Sequence, residues 1–201
     1  MKAEQQTTQT RIERVLRWSR RVLFMTGILA LGYVGFTLLD ARLYQVSAKR
    51  SLETQIQLAK ATQGIRLSPA VKQGDVLGRL DIPRIGLSVA VLQGTSSRTL
   101  RLGAGHIVGT PLPGMIGNSA MAGHRDSFFR GLKDIREQDE IRFQTATGLF
   151  RYHVDWVKVV DPDDVSVLAA STETEITLVT CYPFYLVGAA PKRFVVRAHR
   201  D

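Results

Sequence analysis

The chain has 201 residues, enough for one domain of ordinary size and an appendage. Hydrophobic residues make up 44% and charged residues 22%, which excludes wholesale disorder. A single cysteine excludes an internal disulfide framework and a multi-cysteine zinc site. The net charge of +9 is uneven: residues 1–21 hold six Lys/Arg against two acids. A basic N-terminus favours a membrane surface over nucleic acid as the partner.

Residues 22–39, VLFMTGILALGYVGFTLL, carry no charge. As a helix they span about 27 Å, close to the hydrocarbon thickness of a bilayer. Arg11, Arg14, Arg17, Arg20 and Arg21 precede the run, and Asp40 and Arg42 close it. The sequence thus predicts a basic cytoplasmic tail (1–21) and a single-pass transmembrane signal anchor (22–39) in the plasma (inner) membrane. By the positive-inside rule everything after it is extracytoplasmic. The competing reading is a cleaved signal peptide, with Val46-Ser47-Ala48 as the small-residue site. Against it, the apolar run exceeds the usual length, and Asp40 and Arg42 separate run from site.

Residues 40–63 have few turn formers, and Leu43, Val46, Leu52, Ile56 and Leu58 are spaced for one loose apolar face. They predict a helical stalk ended by Gly64 and Pro69, so that the linker covers 40–75 and the folded domain 76–201. From there short β-branched runs alternate with Gly, Pro, Asn and Asp clusters. Strands are predicted at 76–82, 87–92, 118–122, 140–145, 149–160, 176–180 and 193–199. Short helical pieces are expected at 97–102 and 127–132, and a Gly/Pro-rich loop at 103–117. About eight short strands with regular turns predict a mainly β domain, a closed or nearly closed barrel.

Cys181 stands where the strand TLVTC runs out into a Tyr-Pro turn. A lone cysteine is most often a small buried hydrophobe, yet in an exported domain an idle thiol is an oxidation liability. As a nucleophile it needs a base or a positive field. Of the four histidines, His199 is near the C-terminus and reads as solvated, and His153 reads as a sheet-surface residue. His106 in the Gly/Pro loop and His124 in AGHRD remain open, the bland role of His124 being a cap before the Asp126 turn. Acyl transfer also needs a donor for the tetrahedral oxyanion. Arg193 opens the strand after Cys181 and can face its end. By alternation Arg193, Val195 and Arg197 share one face, and the bland reading of both arginines is a solvated strand edge.

TLVTC, the upstream AGHRDSFF and the downstream APKRFVVRA together resemble the three signatures of sortases, the membrane-anchored cysteine transpeptidases. The stretch GHIVGTPLPGMIGN before AGHRDSFF is most similar to class D, class E or Gram-negative members. The resemblance covers roughly residues 76–200, with 57 residues from His124 to Cys181 and 12 from Cys181 to Arg193. It implies an eight-stranded β-barrel, Cys181 as nucleophile, His124 rather than His106 as catalytic histidine, and Arg193 as the holder of substrate and oxyanion. Thr180, in the TLxTC position, is implied in substrate binding. The implied partners are proteins with a C-terminal LPxTG-like sorting signal and an amine acceptor of the cell envelope or a pilin. The implied reaction is cleavage after Thr through a thioester and transfer to the amine. Hydrolysis of the same thioester by water, or a non-catalytic anchored β-domain, are the alternatives. Some sortases bind calcium through acids in the loop before the histidine, but residues 82–125 contain no Asp or Glu. No metal or other cofactor is therefore expected.

Overall fold

The computed structural model describes residues 18–36, 39, 43, 45–47, 50, 53–54, 71–186 and 188–201. The chain divides into two compact units, Met1–Arg42 and Leu43–Asp201. In the first, residues 18–36 form helix α1, with every side chain exposed. Among the described residues no helix is long and apolar enough to cross a membrane. The expected span 22–39 includes Thr37 and Leu38, which lie outside the described residues, as do Gly64, Pro69 and much of the expected stalk.

The second unit is built on eight strands: β1 (Val76–Ile82), β2 (Leu87–Gln93), β3 (Ala104–His106), β4 (Gly117–Ala122), β5 (Glu140–Gln144), β6 (Leu149–Val160), β7 (Thr174–Tyr182) and β8 (Lys192–Arg200). They close into a barrel in the order β1-β2-β3-β4-β7-β8-β6-β5, so the mainly β barrel expected from the sequence is present. Period-two alternation decides which side chains face inward. Leu80 and Ile82 of β1, Val89 and Val91 of β2, Met121 of β4, Ile141 and Phe143 of β5, Tyr152 and Val154 of β6, Ile176 and Leu178 of β7, and Val196 and Ala198 of β8 all enter one core. Each large apolar side chain contributes roughly 1.5–3 kcal/mol by leaving water.

Strands β1, β6 and the helix α2 (Ser97–Leu102) fall where the sequence puts them, and Ser96 caps α2 by accepting from Thr99 N. Three local expectations change. β3 lies inside the stretch expected to be loop. It pairs in parallel with β2 and antiparallel with β4. A Cβ at Gly105 would stand 2.3 Å from Gly94 O, so close strand approach demands the glycine that makes the segment read as loop. β7 and β8 extend beyond 176–180 and 193–199, each to nine residues. The helical piece expected at 127–132 is a turn followed by a 3-10 segment, Arg130–Asp134.

Polar contacts fasten the connections. Arg84, in the turn after β1, grips the buried carboxylate of Asp139 with Nε and Nη2, and Arg136 N donates to the same carboxylate at 2.7 Å. The Arg84 bond holds Asp139 below the usual carboxylate range, against the opposing effect of burial. From the expected stalk, Gln45 inserts its amide between two backbone groups of the barrel. It accepts from Ala90 N at 3.0 Å and donates to Leu102 O.

His106 is 1% exposed. Its Nε2 donates to Pro111 O at 2.9 Å, with Thr110 Oγ1 at 3.1 Å, and Nδ1 hydrogen-bonds the Gln93 side-chain amide at 2.8 Å. Burial pushes its pKa below the ordinary 6.5, and the Pro111 bond opposes this. The unfolded chain therefore takes up a proton at higher pH than the folded one, so stability falls as pH drops below about 6.5. Thermal melts between pH 7.5 and 5.5 should show the melting temperature falling with pH in the wild type. In His106→Gln the slope should be shallower; an unchanged slope would remove His106 as its cause.

Candidate active site

Strand β7 carries Cys181 and has a neighbour on each side. On one side β8 runs antiparallel, with Cys181 directly opposite Arg193. Directly paired residues share a face with Cβ atoms about 4.5–5.5 Å apart, so thiol and guanidinium leave the sheet together. On the other side β4 runs parallel, with Ala122 beside Val179. The ladder continues past the strand end, since Gly123 N donates to Val179 O at 3.1 Å. Two residues beyond Ala122 and Val179 stand His124 and Cys181. The pairing thus brings together three residues separated by up to 69 positions in the chain.

His124 is exposed and Cys181 and Arg193 are half-buried. The His124 carbonyl starts the next turn by accepting from Phe129 N at 3.1 Å and Ser127 N at 3.4 Å, so the backbone does the capping and the imidazole is left free of it. Arg193 Nη1 donates to Ala190 O at 3.3 Å and Lys192 O at 3.1 Å. Its Nε and Nη2 have no hydrogen-bond partner among the described residues. No hydrogen bond joins His124 to Cys181. Among the described residues no three His, Cys, Asp or Glu side chains are grouped to hold a metal ion.

Thr180 takes a place different from the expected one. It is 2% exposed and points to the opposite face from Cys181, its hydroxyl donating to Gly123 O at 2.7 Å. That bond ties the end of β7 to the residue before His124. Loss of such a buried hydroxyl leaves a carbonyl unpaired, at about 1–3 kcal/mol. His106, the alternative base, is locked into the core with both ring nitrogens bonded. His153 and His199 face each other across β6 and β8, six positions along β8 from Arg193, and are paired at 2.6 Å with Asp201 and at 2.5 Å with Asp155.

Arg197 is not a solvated edge residue. Nη1 meets Glu175 Oε2 at 2.8 Å, Nη2 donates to Val167 O at 2.7 Å, and the group lies 5.3 Å from the Trp156 ring. Asn118 holds the same connection, donating to Val167 O and Ala169 O and accepting from Thr177 Oγ1 at 2.6 Å. The β6–β7 connection is thereby laid across the outer faces of β4, β7 and β8. Beyond it toward Cys181, Ala122 and Val179 stay half-buried and form an apolar floor leading to the thiol.

Comparison with known proteins gives the family. The Sortase domain family matches residues 80–201. Sortase D of Bacillus subtilis (strain 168) is 31% identical over 190 residues, covering 89% of this chain and 95% of that protein. Among solved structures, a Clostridium perfringens Sortase D5 transpeptidase superposes with a TM-score of 0.67 at 26% identity, covering 79% of this chain and 98% of that one. A C. perfringens sortase C, solved with the C-terminal cell wall sorting motif, gives 0.60 at 27% identity, covering 79% and 88%. The chain therefore belongs to the sortase family, the cysteine transpeptidases. Of the classes the sequence left open, class D fits these relatives.

Gly123 is where the site meets the core. A Cβ there would lie 2.6–2.9 Å from three ring atoms of Phe129, which is fully buried. Gly123→Ala must shift either the ring or the His124 backbone. The expected outcome is a loss of about 1–3 kcal/mol in unfolding free energy, the usual range for overpacking, measured by denaturant melts. Wild-type stability would show that the ring yields freely.

Proposed function

We propose that the chain is a membrane-anchored transpeptidase that cuts an LPxTG-like C-terminal sorting signal after its Thr and passes the acyl group to an amine of the cell envelope or of a pilin. The observation that carries this reading is the placement of Cys181 between the His124 end of β4 and its cross-strand partner Arg193. In the first half-reaction Cys181 Sγ attacks the scissile carbonyl carbon and a C–S bond forms. Arg193 Nε and Nη2 donate to the oxyanion. The tetrahedral state collapses, the C–N bond breaks, and the leaving amine takes a proton from His124. In the second half-reaction the acceptor amine attacks the thioester and gives its proton to His124. The oxyanion forms again beside Arg193, and the C–S bond breaks to release the new amide and the thiolate. The apolar floor of Ala122 and Val179 supports the residues of the signal before its Thr.

Preorganised donors at an oxyanion act on the transition state more than on substrate binding. With a sorting-signal peptide and an amine acceptor, Arg193→Ala should lower kcat by about 10²–10³-fold with a smaller change in KM. His124→Ala should cost about 10²–10⁴-fold, while His106→Ala should cost stability instead. Appearance of the hydrolysed peptide in place of the amide, with amine present, would make the enzyme a protease. A folded Arg193→Ala enzyme at wild-type rate would remove Arg193 from the chemistry.

The reading includes single-pass anchoring in the plasma membrane, N-terminus inside and barrel outside. The uncharged run 22–39, its flanking arginines and the apolar side chains exposed on all sides of α1, from Leu23 to Phe36, support it. An isolated helix in water does not leave such a surface bare. The full chain should remain in the membrane pellet through carbonate extraction. A mature protein beginning at Lys49 would replace the anchor with a cleaved leader.

A further inference from the structure

Arg125, the residue after His124, is 4% exposed and faces no buried acid. Its nearest carboxylate is that of Asp126, 3.5 Å from Nε and 74% exposed. The guanidinium is instead spent on backbone carbonyls. Nη1 donates to Pro183 O at 2.9 Å, and Nη2 donates to Leu186 O at 2.6 Å and Gly188 O at 2.8 Å. All three carbonyls belong to the β7–β8 connection, which begins two residues after Cys181 and ends two residues before Arg193. A buried charge of this kind persists only where its donors are met. A planar fork of five donors reaches three divergent carbonyls as no single ammonium does.

The network continues from there. Two residues past Gly188, Ala190 O accepts from Arg193 Nη1, as does Lys192 O. One arginine thus holds the front and middle of the connection, and the other is held by its end. On the outer side of the connection Tyr185 and Leu186 are 72% and 42% exposed. The connection also passes through Gly188 at φ +99°, a backbone state that side chains resist.

The geometry points to Arg125 as a positioning residue for Arg193: by clamping the carbonyls of residues 183, 186 and 188, it sets the path of the β7–β8 connection and so aims the Arg193 guanidinium at the carbonyl attacked by Cys181. This rests on the oxyanion role proposed above for Arg193. Arg125 itself touches no reacting atom.

The test is a double-mutant cycle on the full chain, with sorting-signal peptide and amine acceptor. Misplacement of a catalytic group by about 1 Å can cost ~10²-fold. Arg125→Lys should therefore lower kcat by roughly 10–100-fold, with KM changing far less. Amide hydrogen exchange across residues 184–190 should quicken. In an Arg193→Ala background, Arg125→Lys should cost little or nothing further, because the group it aims is gone. If Arg125→Lys fails to fold by circular dichroism, Gly188→Ala serves in the same cycle. A Cβ there meets nothing within 4 Å, so only the backbone path is disturbed, and the same non-additive loss is expected.

Losses that multiply in full would mean that Arg125 only supports the fold and would overturn the proposal. Wild-type kcat with unchanged exchange would do the same. A wild-type rate in Arg193→Ala alone would instead overturn the oxyanion role, a separate result.

Discussion

The site depends on the hydrogen-bonded position of one strand. β7 runs parallel to β4 and antiparallel to β8, and the two ladders fix three reactive side chains from distant parts of the chain. Register in a closed barrel has little freedom. A slip of one residue would carry Ile176 and Leu178 out of the core and turn Cys181 into it. The apolar interior that holds the barrel shut is therefore also what aims the thiol outward between imidazole and guanidinium.

The connections around the site are held by different physics. Polar side chains with little exposure reach across to backbone carbonyls: Asn118 and Arg197 on the β6–β7 connection, Arg125 on the β7–β8 connection, Thr180 on Gly123. Such bonds contribute modestly on balance but are costly to leave half-made, so they define one path for each loop. Beneath the β7–β8 connection, Tyr182, Phe184 and Phe194 pack edge-to-face or stacked with ring centroids 5.0–6.2 Å apart. This gives the polar clamp an apolar bed.

Much of this was legible in the residues. Short β-branched runs bounded by Gly, Pro, Asn and Asp clusters located β1, β2, β5 and β6. The three signatures located Cys181, His124 and Arg193. β3 was not legible: three residues are too few for alternation, and glycine required by close approach mimics loop. β7 and β8 run further than expected: Glu175 lies on the outer face against Arg197, while Lys192 and Arg200 share the parity of Phe194, Val196 and Ala198 and stand at the two ends of β8. Arg197 was misjudged for a physical reason. A strand's period tells which face a side chain takes, but a barrel's outer face can be roofed by a distant loop, and no local pattern announces that. Arg125 carried no signal in the sequence beyond its place after the histidine in AGHRD.

The central claim is that Cys181 carries the acyl group. Intact-mass analysis of the enzyme mixed briefly with a sorting-signal peptide tests it most directly. The account predicts an adduct whose mass equals the peptide up to its Thr, less water. Proteolytic mapping should place it on Cys181, and it should be discharged to an amide when the amine acceptor is added. An adduct on another residue, or amide formed while Cys181→Ala still turns over, would contradict it.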